Sequence, residues 1–158
     1  MRLTQKSKYA ARAMVEIALG GRGPLGVAEI ARRQRIPERF LGQIFGELRR
    51  GGILRSRRGA HGGYCLAIPA EEVTVLDIVE ILDGRVRPDR YSEGGGRHVD
   101  DAPPCPTGKV WEEARVALEG VFGRYSIAQL AEAERGSREE RESPDLQATR
   151  GPPLLRPL

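Results

Sequence analysis

The stretch from Pro37 to Ala67 restricts this chain more than any other. Phe40, Leu41, Ile44, Phe45 and Leu48 recur there at helical spacing, and Gly51 and Gly52 then end the pattern. Pro37 falls in the first helical turn, where its missing N–H removes no bond. Two short apolar runs follow at once, flanking a tip that contains Arg57, Arg58, Gly59, Gly62 and Gly63. The pattern predicts a helix over 37–50 that runs directly into a basic β-hairpin over 55–66.

The preceding residues supply companions for that helix. Tyr9, Ala10, Ala13, Met14, Ile17 and Ala18 share one face of a first helix ended by Gly20 and Gly21. Gly26 caps a short second helix, with Glu29 three residues on and Ala28, Ile30 and Ala31 as its apolar face. Two helices joined by a tight turn form a helix-turn-helix, and a hairpin placed straight after its second helix is a wing. Residues 73–83 form a fourth helix capped by Thr74 and expected to pack on this unit.

Residues 84–106 hold four Pro and four Gly without periodicity and read as a loop in a sensor position. From Thr107, an apolar stripe of Trp111, Ala114, Leu118, Val121 and Phe122 marks a long helix. Too little chain remains to cover that stripe, which predicts pairing with a second copy in a homodimer. A break at Gly123–Tyr125 precedes a capping box of Ser126 and Gln129, and the Pro-rich, charged tail is expected to be disordered. The fold class is therefore mainly α with a small β-hairpin wing. Its parts are a winged helix-turn-helix domain over 1–83, the loop over 84–106, a dimerisation helix and short following helix over 107–135, and a tail over 136–158.

Charge sharpens the function class. The net charge of +4 hides an asymmetry: residues 1–68 hold 14 Lys or Arg against 4 Asp or Glu, net +10, while residues 69–158 hold 12 against 18, net −6. A basic block of that size suits a polyanion, either nucleic acid or an anionic membrane surface. Lys6, Lys8, Arg12 and Glu16 interrupt the apolar residues of the N-terminal segment, so neither a signal peptide nor a membrane span is expected and the cytoplasm is the expected location. With two His, two Cys and no paired carboxylates in a pocket pattern, no nucleophile-base-orienter set exists and no enzyme is expected.

Three stretches, MRLTQKSKYAARAMVEIA, IPERFLGQIFGELRRGGILRSRRGAHGGY and CPTGKVWEEA with the later SIAQLAE, resemble the IscR/NsrR/CymR-type regulators of the Rrf2 family over residues 1 to 135. The resemblance implies a winged-helix dimer that binds double-stranded operator DNA, with repression as the expected output and no membrane partner. It implies that the recognition helix presents Glu38, Arg39, Phe40 and Gln43 to base edges, Phe40 being equally suited to the core. Arg58 of the wing would enter the minor groove, flanked by Arg57, Gly59, His61, Gly62 and Gly63, while Lys6 and Lys8 would hold phosphates.

The chain departs from the family in two places. Gly42 stands where some members carry an acidic discriminating residue. Cluster-binding relatives use three cysteines in the loop before the long helix, and this chain has only Cys105 there, with Tyr91, Arg97 or His98, and Gly108 near the other ligand positions. The reading is a regulator without a cofactor; a [2Fe-2S] cluster on Cys105, His98 and other ligands is the alternative, as is a winged-helix module that binds protein. Cys105, beside a helix N-terminus, also suits a thiol switch, whereas Cys65 in the wing reads as a small buried residue. A small-molecule or protein effector acting through the loop completes the expectation.

Overall fold

The structure is a computed structural model that describes residues 4–21, 23–59, 62–85 and 106–142. Helix α1 (Gln5–Leu19) is the element on which the others gather, touching α2 (Val27–Gln34), α3 (Glu38–Arg50), α4 (Val75–Asp83), α6 (Ile127–Glu142) and strand β2 (Gly63–Leu66). Its buried face is the expected one: Ala10, Ala13, Met14 and Ile17. They meet Ile30 and Ala31 of α2, then Leu41, Ile44, Phe45 and Leu48 of α3, with Ile53, Leu54, Val73, Ile78, Leu82 and Ile127 closing the core. Small residues on α1 let the surrounding helices approach it closely, and the Leu, Ile and Phe side chains of the others fill the space.

The termini of α1 and α4 stabilise one another. Thr4 caps α1 without bonding its own helix; instead its N–H donates to Asp83 Oδ2 at 3.1 Å and its hydroxyl to Asp83 Oδ1 at 2.6 Å, while Ser7 Oγ donates to Asp83 Oδ2 at 2.6 Å. A carboxylate from the end of α4 thus sits at the positive end of α1. Thr74 opens α4 in a reciprocal cap with Asp77: Asp77 N donates to Thr74 Oγ1 at 3.2 Å and Thr74 N to Asp77 Oδ2 at 2.7 Å.

Strand β1 (Leu54–Arg57) pairs antiparallel with β2, Leu54 facing Leu66 and Arg57 facing Gly63. Leu25 adds a third rung, because Leu25 N donates to Tyr64 O at 2.9 Å and Tyr64 N to Leu25 O at 2.8 Å. Gly63 is required by that rung: a Cβ there would lie 2.2 Å from the Leu25 carbonyl oxygen. Gly62 is equally confined, with its absent Cβ 2.5 Å from the Arg57 carbonyl oxygen.

Two boundaries differ from the sequence expectation. Pro37 is the N-cap of α3 and not part of its first turn; its ψ of 124° is extended while its carbonyl already accepts from Leu41 N at 3.0 Å. Helix α6 begins at the Ser126–Gln129 capping box as expected, yet runs on to Glu142 through residues assigned to the tail. Arg138 holds it there, bonded to Glu134 of its own helix and to Glu16 of α1.

The stripe on α5 (Pro106–Arg124) also divides. Ala114, Leu118 and Phe122 are half-buried on a helix that packs against α4, whereas Trp111 and Val121 are exposed together with Val110 and Val116. None of the helices among the described residues is long and apolar enough to cross a membrane.

Candidate nucleic-acid interface

The turn between α2 and α3 is built by backbone bonds. Ile36 N donates to Ala31 O at 2.9 Å and Arg35 N to Arg32 O at 3.3 Å, the paired closure of a Schellman motif, with Ile36 and Ala31 both buried beneath it. This geometry requires a left-handed residue, and Arg35 supplies it at φ 53°. Glycine would adopt that conformation at lower cost, by about 1 kcal/mol. Among the described residues Arg35 is the only non-glycine with positive φ, and its side chain is exposed at the corner of the helix-turn-helix.

Helix α3 buries Leu41, Ile44, Phe45 and Leu48 and exposes Glu38, Arg39 and Gln43 on its other side. Between these polar residues the exposed side is low. A Cβ added at Gly42 would meet nothing within 4 Å, and one at Gly46 only Arg50 Nη1 at 3.8 Å. Two glycines inside one helix each cost about 1 kcal/mol relative to alanine. Internal packing does not require either of them, so they leave the backbone open to close approach from outside.

The wing stands beside this helix because Tyr64 packs its ring on Phe45, centroids 4.9 Å apart and planes at 60°. Arg49 Nη1 reaches Ser56 Oγ at 3.3 Å and joins the end of α3 to β1. Arg55, Arg57 and Arg58 are exposed on the wing, and Gly59 turns the chain with φ 114°. Cys65 is half-buried, contrary to the expectation of a fully buried residue: it pairs with Arg55 across the hairpin, and Arg55 Nε lies 3.2 Å from its sulfur.

Several sequence assignments need adjustment. Lys6 is drawn inward to Glu47 of α3 at 2.6 Å and to the Leu82 carbonyl at 3.5 Å, so its ammonium joins α1 to α3 and does not stand free for phosphate. Lys8 is exposed. Phe40 takes the inward option, its ring edge-on to Tyr9 at 6.2 Å and packed against the core. His61, His98 and Cys105 lie outside the described residues. The structure adds exposed Arg35, Arg49, Arg50 and Arg55 to the basic surface, which the sequence signalled only through the +10 charge of residues 1–68.

The described residues do not fit a metal or cluster site. No group of three or more His, Cys, Asp or Glu side chains among them lies close enough to hold a metal ion, and the one described thiol, Cys65, sits beside a guanidinium.

Residues 3–133 match the sequence model of the Rrf2 family, described as iron-dependent transcriptional regulators. The chain is 34% identical over 131 residues to the HTH-type transcriptional regulator IscR of Klebsiella pneumoniae, covering 82% of this chain and 79% of that one. Its fold is similar to CymR, the global cysteine regulator of B. subtilis, with a TM-score of 0.70, 28% identity and coverage of 84% and 98% of the two chains. It is also similar to T. potens IscR, with a TM-score of 0.66, 28% identity and coverage of 96% and 94%. Family members regulate transcription and are not enzymes. The structure thus carries a helix-turn-helix followed by a basic wing, and the chain belongs to the Rrf2 family of winged helix-turn-helix transcriptional regulators.

Proposed function

We propose that this protein acts in the cytoplasm as a homodimeric repressor, with α3 in the major groove of operator DNA and the wing in the adjacent minor groove. The observation that carries this reading is the exposed side of α3, where Arg39 and Gln43 project from a helix otherwise trimmed to Gly42 and Gly46. Arg and Gln both suit purine edges through bidentate hydrogen bonds. Glu38 stands beside them, able to accept from a cytosine amino group. Arg58, with Arg57 and His61, supplies the minor-groove contact, and Lys8, Arg35 and Arg49 supply phosphate contacts.

The exposed Val110, Trp111, Val116 and Val121 of α5, each about half or more exposed, support pairing of two copies through a helix about 28 Å long. Two reading heads then engage half-sites about 34 Å apart or a multiple of that spacing. A dimer seated across a promoter excludes other proteins from the same base pairs, so repression is its direct output. A small-molecule or protein effector acting through the 84–106 segment would change the half-site spacing.

The test compares Arg58→Ala with Lys8→Ala on a duplex enriched by the wild-type protein and on a scrambled duplex. Arg58→Ala lowers affinity for the enriched duplex by about tenfold with relaxed preference at A·T steps, whereas Lys8→Ala weakens both duplexes alike and reduces the salt slope by about 1. Equal losses from both variants on both duplexes would overturn these roles. Affinity that ignores salt would instead favour a protein-binding module.

A further inference from the structure

The DNA-reading unit is clamped from the far end of the chain. Glu16 of α1 has a side chain only 1% exposed, and a carboxylate so placed is costly unless donors surround it. Its donors come from two other helices. Gln34 Nε2 of α2 donates to Oε1 at 2.7 Å and Arg33 Nη1 of α2 to Oε2 at 3.5 Å, while Arg138 Nη2 of α6 also donates to Oε1.

Each donor is itself oriented by a second bond. Arg138 Nε is held by Glu134 Oε1 at 2.8 Å on its own helix. The Gln34 amide has its oxygen fixed by Arg12 Nε at 2.9 Å, and its main-chain carbonyl accepts from Arg12 Nη2 at 2.6 Å. Gln34 is the last residue of α2, so only Arg35, Ile36 and Pro37 separate the clamp from the first residue of α3. The direction in which the recognition helix leaves the turn depends on where the end of α2 is held.

We infer that Arg138, acting through Glu16, is a positioning residue for DNA recognition: the C-terminal helix α6 holds the end of α2, and thereby sets the orientation of α3. Apolar packing alone would not do this. Ile127 and Ala131 bury the first half of α6, but among the described residues the hydrogen bonds that lead from α6 to the end of α2 pass through Glu16, from Arg138 to Gln34 and Arg33. Arg138 is the strongest lever, because its loss leaves a buried carboxylate with the long Arg33 contact as its only charged partner among the described residues. Since α6 follows directly on α5, the same chain of bonds passes the disposition of the dimer helix to the reading head.

The inference rests on the DNA-binding reading, and its test separates the two. The full-length chain enriches a duplex from a random pool, and that duplex and a scrambled one are titrated with R138Q, R138K, E16Q and, as a control, R135Q, which removes an exposed α6 arginine bonded only to Glu132 among the described residues. Amide exchange at residues 32–36 is read alongside. R138Q and E16Q are expected to lower the enriched-to-scrambled affinity ratio roughly tenfold and to speed exchange at 32–36. R138K should recover part of the loss, and R135Q should change neither quantity. E16Q removes the buried charge and so carries the test if R138Q does not fold. An unchanged ratio, an equal fall on both duplexes, or unchanged exchange in the folded variants would overturn the inference. A wild-type chain that enriches no duplex would overturn the DNA-binding reading itself.

Discussion

The ring of Tyr64 on the wing lies 4.9 Å from the ring of Phe45 on the recognition helix, tilted by 60°. Phe45 is wholly buried, so this contact fastens the wing to the core directly behind the exposed side of α3. The two parts that enter adjacent grooves in the proposed complex are thereby held as one body.

Removing that ring tests the coupling. Tyr64→Ala should destabilise the fold by about 2 kcal/mol, less than a fully buried aromatic because Tyr64 is half-buried. Tyr64→Phe, which keeps the ring, should stay within about 0.5 kcal/mol of the natural protein, since the hydroxyl has no hydrogen-bond partner among the described residues. Urea titration of both variants measures the difference, and equal stabilities would show that the ring contact does not anchor the wing.

Gly42 offers a separation of stability from function. Alanine fits there with nothing within 4 Å of its Cβ and should stabilise α3 by about 1 kcal/mol. The same methyl group stands on the side that faces DNA in the proposed complex, and affinity for an enriched duplex should fall severalfold. A thermal melt and a binding titration on one Gly42→Ala preparation check both halves. A variant that is more stable and binds undiminished would show that the groove does not approach the backbone at this point.

The Glu16 cluster predicts an acid response. Burial pushes the Glu16 carboxyl upward, but the bonds from Arg138, Gln34 and Arg33 outweigh it and hold the group below its ordinary value of 4.5. A carboxyl depressed on folding contributes stability that is complete above the unfolded value and is lost as pH falls through the folded one. The stability difference between the natural protein and Glu16→Gln should therefore be constant near neutrality and shrink on acidification below about pH 4.5. Denaturant titrations of the pair from pH 7 to pH 3 read this directly. A difference that does not change with pH would mean that Glu16 carries no net charge-dependent stabilisation.

Much of the architecture was legible because it is written in local patterns. The apolar stripes of α1 and α3, the Thr74 and Ser126 caps, the Gly51–Gly52 stop and the glycine-bounded wing each depend on residues within a few positions of one another. Arg39, Gln43 and Arg58 were singled out by the resemblance to the family and not by periodicity, and all three are exposed. The α5 stripe was found but not its division, because periodicity locates an apolar face without naming what covers each part of it.

What the sequence by itself determined is the class of fold and its sign: a helix-turn-helix with a wing, carrying a basic surface. Only the tertiary structure decided which charges are free. Lys6 and Lys8 are equivalent in a string of letters, yet Lys6 is spent on Glu47 and Lys8 is exposed. Glu16 reads as a polar break in an apolar segment and is instead a buried node linked to Arg138 across 122 residues. Helix α6 outlasts its apolar pattern for the same reason. Electrostatic partners are chosen by distance in space, and for a charge leaving water the partner decides whether it is surface, anchor or site.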